Sequence, residues 1–141
     1  MKKVFTIGLI LGLVGCSANP VKPVGSEYKQ GLKQICIERN HKVTIPSFEN
    51  DLTRAFSERN IKTIYFDGNT PISCENKLNY SALRSWDMGV YISKINLDLY
   101  DSNGKSVGQV DWEQNPLALN KWKDTGKVAR AVDMLLGEYS K

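Results

Sequence analysis

The sequence predicts one α/β (α+β) domain: a mixed five-stranded sheet, element order β-α-β-β-β-β-α, with two helices packed on one face. Three observations predict it. From residue 32 to 66, an alternating segment, a helical apolar stripe and a β-branched run follow one another within the length of a parallel crossover. From residue 77 to 113, two alternating stretches flank an Asn-Gly turn. Beyond residue 124, a second helical stripe closes the chain.

The first strand is expected from Leu32 to Glu38, with Ile35 and Ile37 on one face and Gln34, Cys36 and Glu38 on the other. Arg39 to Lys42 is polar and reads as a loop, and His41, the only histidine, is expected as a solvated member of it. Ser47 stands where a helix N-cap would, with Glu49 and Asp51 in the first turn to suit the helix dipole. Phe48, Leu52, Ala55 and Phe56 form the apolar stripe of that helix, which should end near Asn60. Ile61 to Phe66 is the second strand, joined to the first by a right-handed crossover. Asp67 to Pro71 is a turn. Leu78, Tyr80 and Ala82 alternate with polar residues in the third strand, and Arg84 to Gly89 interrupts or bends it. Val90 to Tyr100 and Val107 to Glu113 form a hairpin about Asn103-Gly104. The last helix begins near Asp124 or Thr125; Val128, Val132, Leu135, Leu136 and Tyr139 form its dry side, and Lys127, Arg130, Asp133 and Glu138 its wet side.

The chain ahead of this domain has a different character. Met1-Lys2-Lys3 precedes an apolar run from Val4 to Val14, which ends in Leu13-Val14-Gly15-Cys16. A run of about 11 residues suits export, whereas a spanning helix needs roughly 20. Leu13-Val14-Gly15-Cys16 resembles the lipobox of bacterial lipoproteins. That resemblance implies removal of residues 1–15, acylation of Cys16 and a lipid anchor, at about 0.8 kcal/mol per buried CH₂. An ordinary signal peptide with an incidental Cys16 is the alternative. Serine rather than aspartate at position 17 resembles the outer-membrane class, so Ser17 is the expected sorting residue and the outer membrane, periplasmic side, the expected location. Residues 16–31 then read as a lipidated cysteine and flexible tether, reaching about 30 Å over its extended part, and residues 32–141 as the single domain.

Of three cysteines, Cys36 and Cys74 remain for an oxidising compartment. One disulfide is the simplest pairing, and a closed loop of about 38 residues would contribute roughly 3–4 kcal/mol; two buried thiols are the alternative. The parity of Cys36 places the bridge away from the helix layer. Two sulfurs and one imidazole fall short of a closed zinc site, so neither metal nor cofactor is expected. The formal charge of +4 includes Lys2 and Lys3; so small a balance, on an exported chain, argues against nucleic acid as a partner.

Cys74, Arg84-Ser85-Trp86-Asp87, Leu99-Tyr100-Asp101, Gly104-Lys105-Ser106-Val107-Gly108 and Asn120-Lys121-Trp122 recur in this order in a group of short lipoproteins of Gram-negative bacteria with no assigned activity, which the chain resembles from about Ile35 onward. A glycine-rich stretch of that group is replaced here by Gln114-Asn115-Pro116-Leu117. The element order also resembles lipoprotein adaptor domains, such as activators of cell-wall synthases and transporter auxiliary lipoproteins.

The expected function is therefore a non-enzymatic binding or adaptor domain for an envelope protein, held to the membrane by its lipid. Trp86, Asp87 and Trp122 are the candidate partner contacts, because tryptophan anchors interfaces. A structural role is the alternative, with Trp86 buried against the helices and Asp87 capping a bend. An inhibitor or immunity lipoprotein against a toxin or wall hydrolase has the same anchor and size. No phosphate-binding glycine loop or His-Glu-x-x-His is present, so no catalytic residues are assigned. Asp98 and Asp111 fall near one another across the hairpin, where alternation on a wet face accounts for them.

Overall fold

The computed structural model describes residues 21–139. They form a mixed α+β fold with six strands and three helices: β1 (Val21–Lys22), α1 (Ser26–Gly31), β2 (Gln34–Glu38), α2 (Phe48–Ser57), β3 (Lys62–Phe66), β4 (Lys77–Trp86), β5 (Val90–Tyr100), β6 (Ser106–Glu113) and α3 (Lys127–Leu135). The strands lie in the order β1-β6-β5-β4-β2-β3. β2 pairs in parallel with both β3 and β4, and the other pairs are antiparallel.

The expected count of five strands and two helices is corrected by β1 and α1, both from the stretch read as tether. Tertiary contacts, not local pattern, order that stretch. Val21 pairs with Val110, and the Val24 amide donates to the Leu135 carbonyl at 2.8 Å. Val24 is buried against Gly108, where a Cβ would come within 2.5 Å of the valine methyl and 3.1 Å of Leu135. Only glycine lets the incoming chain lie this close over β6. Tyr28 of α1 donates to Asn76, whose side-chain amide donates in turn to the Gln34 carbonyl at 3.1 Å.

The core lies between the sheet and α2 and α3, on one face. Phe48, Leu52 and Phe56 of α2 and Val132 and Leu135 of α3 meet Ile35, Ile37, Leu78, Ile95, Leu97, Leu99 and Val110. Each such side chain, removed from water, stabilises the fold by about 1.5–3 kcal/mol. Arg59 ties the helices together, donating through Nε to Asp133 at 2.8 Å with Glu138 at 3.4 Å. Cys36 is buried on the opposite face and bonded to Cys74, 38 residues on, with the Cα atoms 5.8 Å apart.

Several local expectations shift. Ser47 sits at the N-cap of α2 in helical conformation, and its backbone carbonyl, not its hydroxyl, accepts from Asp51 at 2.8 Å. β4 runs through Arg84 to Trp86: the expected break is a bulge after Leu83, which leaves Ser93 unpaired in the ladder. α3 starts two to three residues late, after Gly126 at φ 87°, a conformation that costs glycine little. It ends before Tyr139, which is exposed. Lys127, assigned to the wet side, is buried.

Candidate functional site

Two surfaces of the sheet remain outside the helix layer, and the sequence-derived residues divide between them. At one end, the turn between β4 and β5 (residues 87–89) abuts the segment joining β6 to α3 (residues 114–126). Trp122 lies against Gly89, where a Cβ would be 3.0 Å from the indole, and its Nε1 donates to the Asp87 carbonyl at 2.7 Å. The Asp87 carboxylate pairs with Lys121, whose ammonium also donates to the Pro116 carbonyl at 2.8 Å and lies 4.7 Å from the Trp122 ring. Asp87 and Trp122 are thus brought together, and Trp86 adjoins them.

The anchor beneath this corner is Lys127. Its ammonium donates to the Ile92 carbonyl at 3.0 Å, the Lys121 carbonyl at 2.6 Å and Asp124 Oδ1 at 2.8 Å. These three bonds use its three protons, which is what a buried cation requires. The rings of Tyr91 and Trp112 lie 5.5 and 5.9 Å away. Asp124 Oδ1 also accepts from the Ile92 amide at 3.0 Å. β5 and the β6–α3 segment are therefore clamped together from below.

What the clamp presents above is apolar. Trp86 is 75% exposed, which corrects the alternative of burial against the helices, and Met88 and Leu117 are each 87% and Leu119 94% exposed. Val90 and Trp122 complete the patch. Of the ten large apolar side chains exposed among the described residues, these six share one end of the sheet. Clustering of this kind, unlike a scattered exposed leucine, marks a contact surface. Leu117 and Leu119, flanked by polar loop residues, were the sequence signal for it. Lys121 and Lys127 carried none, because their acceptors are mostly backbone carbonyls.

The second surface is the face of β4, β5 and β6 away from the helices. It is polar and internally bonded. Asp98 accepts from the Tyr100 hydroxyl at 2.6 Å and the Ser106 hydroxyl at 2.7 Å; its negative charge, first through that hydrogen bond, raises the Tyr100 pKa. Asp111 accepts from the Asn96 amide at 2.9 Å, with Lys94 at 3.4 Å. The register sets Asp98 opposite Gln109 and Asp111 opposite Asn96, so the two carboxylates are diagonal neighbours with separate partners.

His41 is exposed, with Nε2 2.7 Å from Asp67 Oδ1. Arg39 lies 3.5 Å from Glu49 and 3.6 Å from Asp67. Glu49 accepts from the Tyr80 hydroxyl at 3.0 Å, and its carbonyl accepts from Tyr65 at 2.7 Å. Burial pushes the Tyr65 phenol up to about 12. This network ties the β2–α2 connection to β3 and β4, with Arg39 set between the two carboxylates. Cys16 and Ser17 lie outside the described residues. Among the described residues, no group of three or more His, Cys, Asp or Glu could hold a metal ion, and no helix is long and apolar enough to cross a membrane.

No protein-family description and no curated protein matches the chain. Solved structures do. The PelC dodecamer from Paraburkholderia phytofirmans in space group P6 is 11% identical, with 86% of this chain and 96% of that chain covered and a TM-score of 0.55. A point variant of the same dodecamer in space group C2 is 10% identical, covering 85% and 98%, also at 0.55. At such identity the likeness is one of fold.

Proposed function

We propose that this protein is a non-enzymatic adaptor lipoprotein, acylated at Cys16, sorted to the outer membrane through Ser17 and working in the periplasm by docking an envelope protein. The observation that carries this reading is the uncovered polar face of β4, β5 and β6. A sheet face left open by every helix, with its carboxylates, amides and hydroxyls held in place by one another, is a pre-organised docking surface. It binds with little further ordering, and Asp98 and Asp111 supply it with oriented acceptors. The same pairing supports a non-catalytic role: His41, Glu49, Asp87, Asp98 and Asp111 each engage a structural partner. Ser106, which donates to Asp98, sits with its flanking Gly104 and Gly108 at the β5–β6 hairpin and not at a strand-to-helix elbow, and His41, the one histidine of the sequence, pairs with Asp67.

The two solved structures named above are dodecamers, which makes further copies of this chain the first partner to seek. A photo-cross-linking residue at Asn79 or Gln109, both exposed on the open face, should yield specific adducts in intact cells, and one at Glu58, behind the helix layer, should not. Adducts from Glu58 alone would overturn the reading. Capture of a toxin or wall hydrolase at Gln109 would turn it toward the inhibitor alternative.

A further inference from the structure

We infer that the apolar corner of Trp86, Met88, Val90, Leu117, Leu119 and Trp122 is a membrane-docking surface, seated in the headgroup region of the bilayer that holds the lipid anchor. The inference rests on the lipoprotein reading of Cys16 and adds to it an orientation of the domain.

The register of β1 supplies the orientation. β6 runs toward the corner: Glu113, at its end, lies opposite Lys94 of β5, and Lys94 lies opposite Leu83 of β4, three residues before Trp86. β1 is antiparallel to β6, with Val21 opposite Val110 and Lys22 opposite Gln109. The chain therefore enters the fold from the corner end and runs away from it. Val24, buried against Gly108 and bonded to Leu135, fixes that entry. Cys16 precedes Val21 by only five peptide units, a reach of at most about 18 Å. Trp86 lies three strand spacings across from β1, about 14 Å at the usual 4.8 Å per spacing, and six residues, about 20 Å, beyond the level of Val21 along the strands. The lead must therefore run near full extension toward the corner for the acyl chains to come level with it. An anchor on so short a lead holds the corner end of the sheet against the bilayer.

The chemistry of the corner suits that position. Two tryptophans with apolar faces and a polar N–H are the side chains that favour the headgroup level. Met88, Leu117 and Leu119 project from turns and Val90 from the start of β5, and none from a groove, so they can enter the interface without being enclosed by a protein partner. Lys121 beneath them, paired with Asp87 at the turn, and the three-way bonding of Lys127 hold the projecting backbone in place and give the buried ammoniums their partners. A single set of acyl chains would let the domain swing, whereas this second contact fixes which face looks into the periplasm.

The test uses the full-length protein purified from membranes and reconstituted into phosphatidylethanolamine/phosphatidylglycerol vesicles containing brominated phosphatidylcholine. Trp86 and Trp122 should be quenched and Trp112, buried in the core, spared. Trp86→Phe should remove most of the quenchable emission, and Leu117→Ser with Leu119→Ser should lessen the quenching of Trp86 while leaving circular dichroism unchanged. Amino-terminal mass analysis of the same sample separates the two readings. Acylated protein with unquenched Trp86 overturns the docking surface alone; protein without acyl mass overturns the anchor and the docking surface together. Corner cross-links to a second copy or another protein, with Trp86 unquenched, also overturn it.

Discussion

The corner and the open sheet face are both left uncovered by the helices, yet they are built in opposite ways. On the open face the polar groups point outward and satisfy one another across the ladder, as Asp98 does with Tyr100 and Ser106. At the corner the two lysines turn inward, bonded to carbonyls and to the more exposed Asp124 and Asp87, and the large apolar groups are left outside. The difference teaches where the stability of each surface resides. The open face rests on strand pairing that the core underneath already pays for. The corner is made mostly of turn and loop, and depends on its buried cations and on the Trp122 contact with Asp87 and Gly89 to hold it.

Removing Lys127 should therefore have the largest effect. Lys127→Met deletes a buried ammonium and leaves the Ile92 and Lys121 carbonyls without that donor, while Asp124 keeps the Ile92 amide. Each buried acceptor left unpaired costs about 1–3 kcal/mol, so the two carbonyls together cost about 2–6 kcal/mol, while Asp124 is partly in water. Urea unfolding followed by far-ultraviolet circular dichroism should show that loss, and proteolysis should fall within residues 114–126 first. An unchanged midpoint would mean that the corner is held by packing alone.

The disulfide is the matching constraint on the other side of the sheet. Cys36 faces away from the helices, and its bridge to Cys74 closes a loop of 38 residues. Reduction should lower stability by roughly 3–4 kcal/mol on the chain-entropy account. It should loosen the loop around Cys74 and leave the corner intact, since no corner residue depends on that loop. Tryptophan emission that shifts on reduction would show the two ends to be coupled.

The sequence made some of this legible and not the rest. Periodicity placed α2 and the β5–β6 hairpin, because a buried stripe of Phe48, Leu52 and Phe56 and the alternation of Ile95, Leu97 and Leu99 are local signals of tertiary burial. Parity and compartment brought Cys36 and Cys74 together. β1 and α1 left no such signal: a two-residue edge strand is ordered by Val110, Gly108 and Leu135, all far along the chain. Lys127 was misplaced for the same reason. A lysine beside an apolar stripe reads as solvated, and only the fold brings it three acceptors. Trp86 and Trp122 were legible as residue types suited to contacts, but their exposure depended on the clamp beneath them.

A smaller effect is expected on the open face. Asp98→Asn keeps one acceptor oxygen and replaces the other with an amide donor, so one of the two hydroxyls must reorient. The cost should be about 1 kcal/mol, that of a typical hydrogen bond. The more telling readout is Tyr100. Its pKa is raised first by the hydrogen bond to Asp98, and the neutral amide should bring it down toward the ordinary tyrosine value, as followed by ultraviolet absorbance at alkaline pH. A Tyr100 titration that does not move would show that Asp98 is not its partner in solution.

The smallest effect on stability belongs to the corner itself. Leu117→Ser and Leu119→Ser remove side chains that are 87% and 94% exposed, so neither variant opens a cavity nor strips a buried polar group of its partner. Surface changes of that kind stay within about 0.5 kcal/mol. The comparison with Lys127→Met is then direct. Substitutions in the loop and at the α3 residue that anchors it should differ severalfold in their effect on stability, because one removes what holds the loop and the other what the loop displays. Unfolding midpoints measured side by side decide it. If the leucine variants destabilise as much as Lys127→Met, the leucines pack against something and the corner is core, not surface.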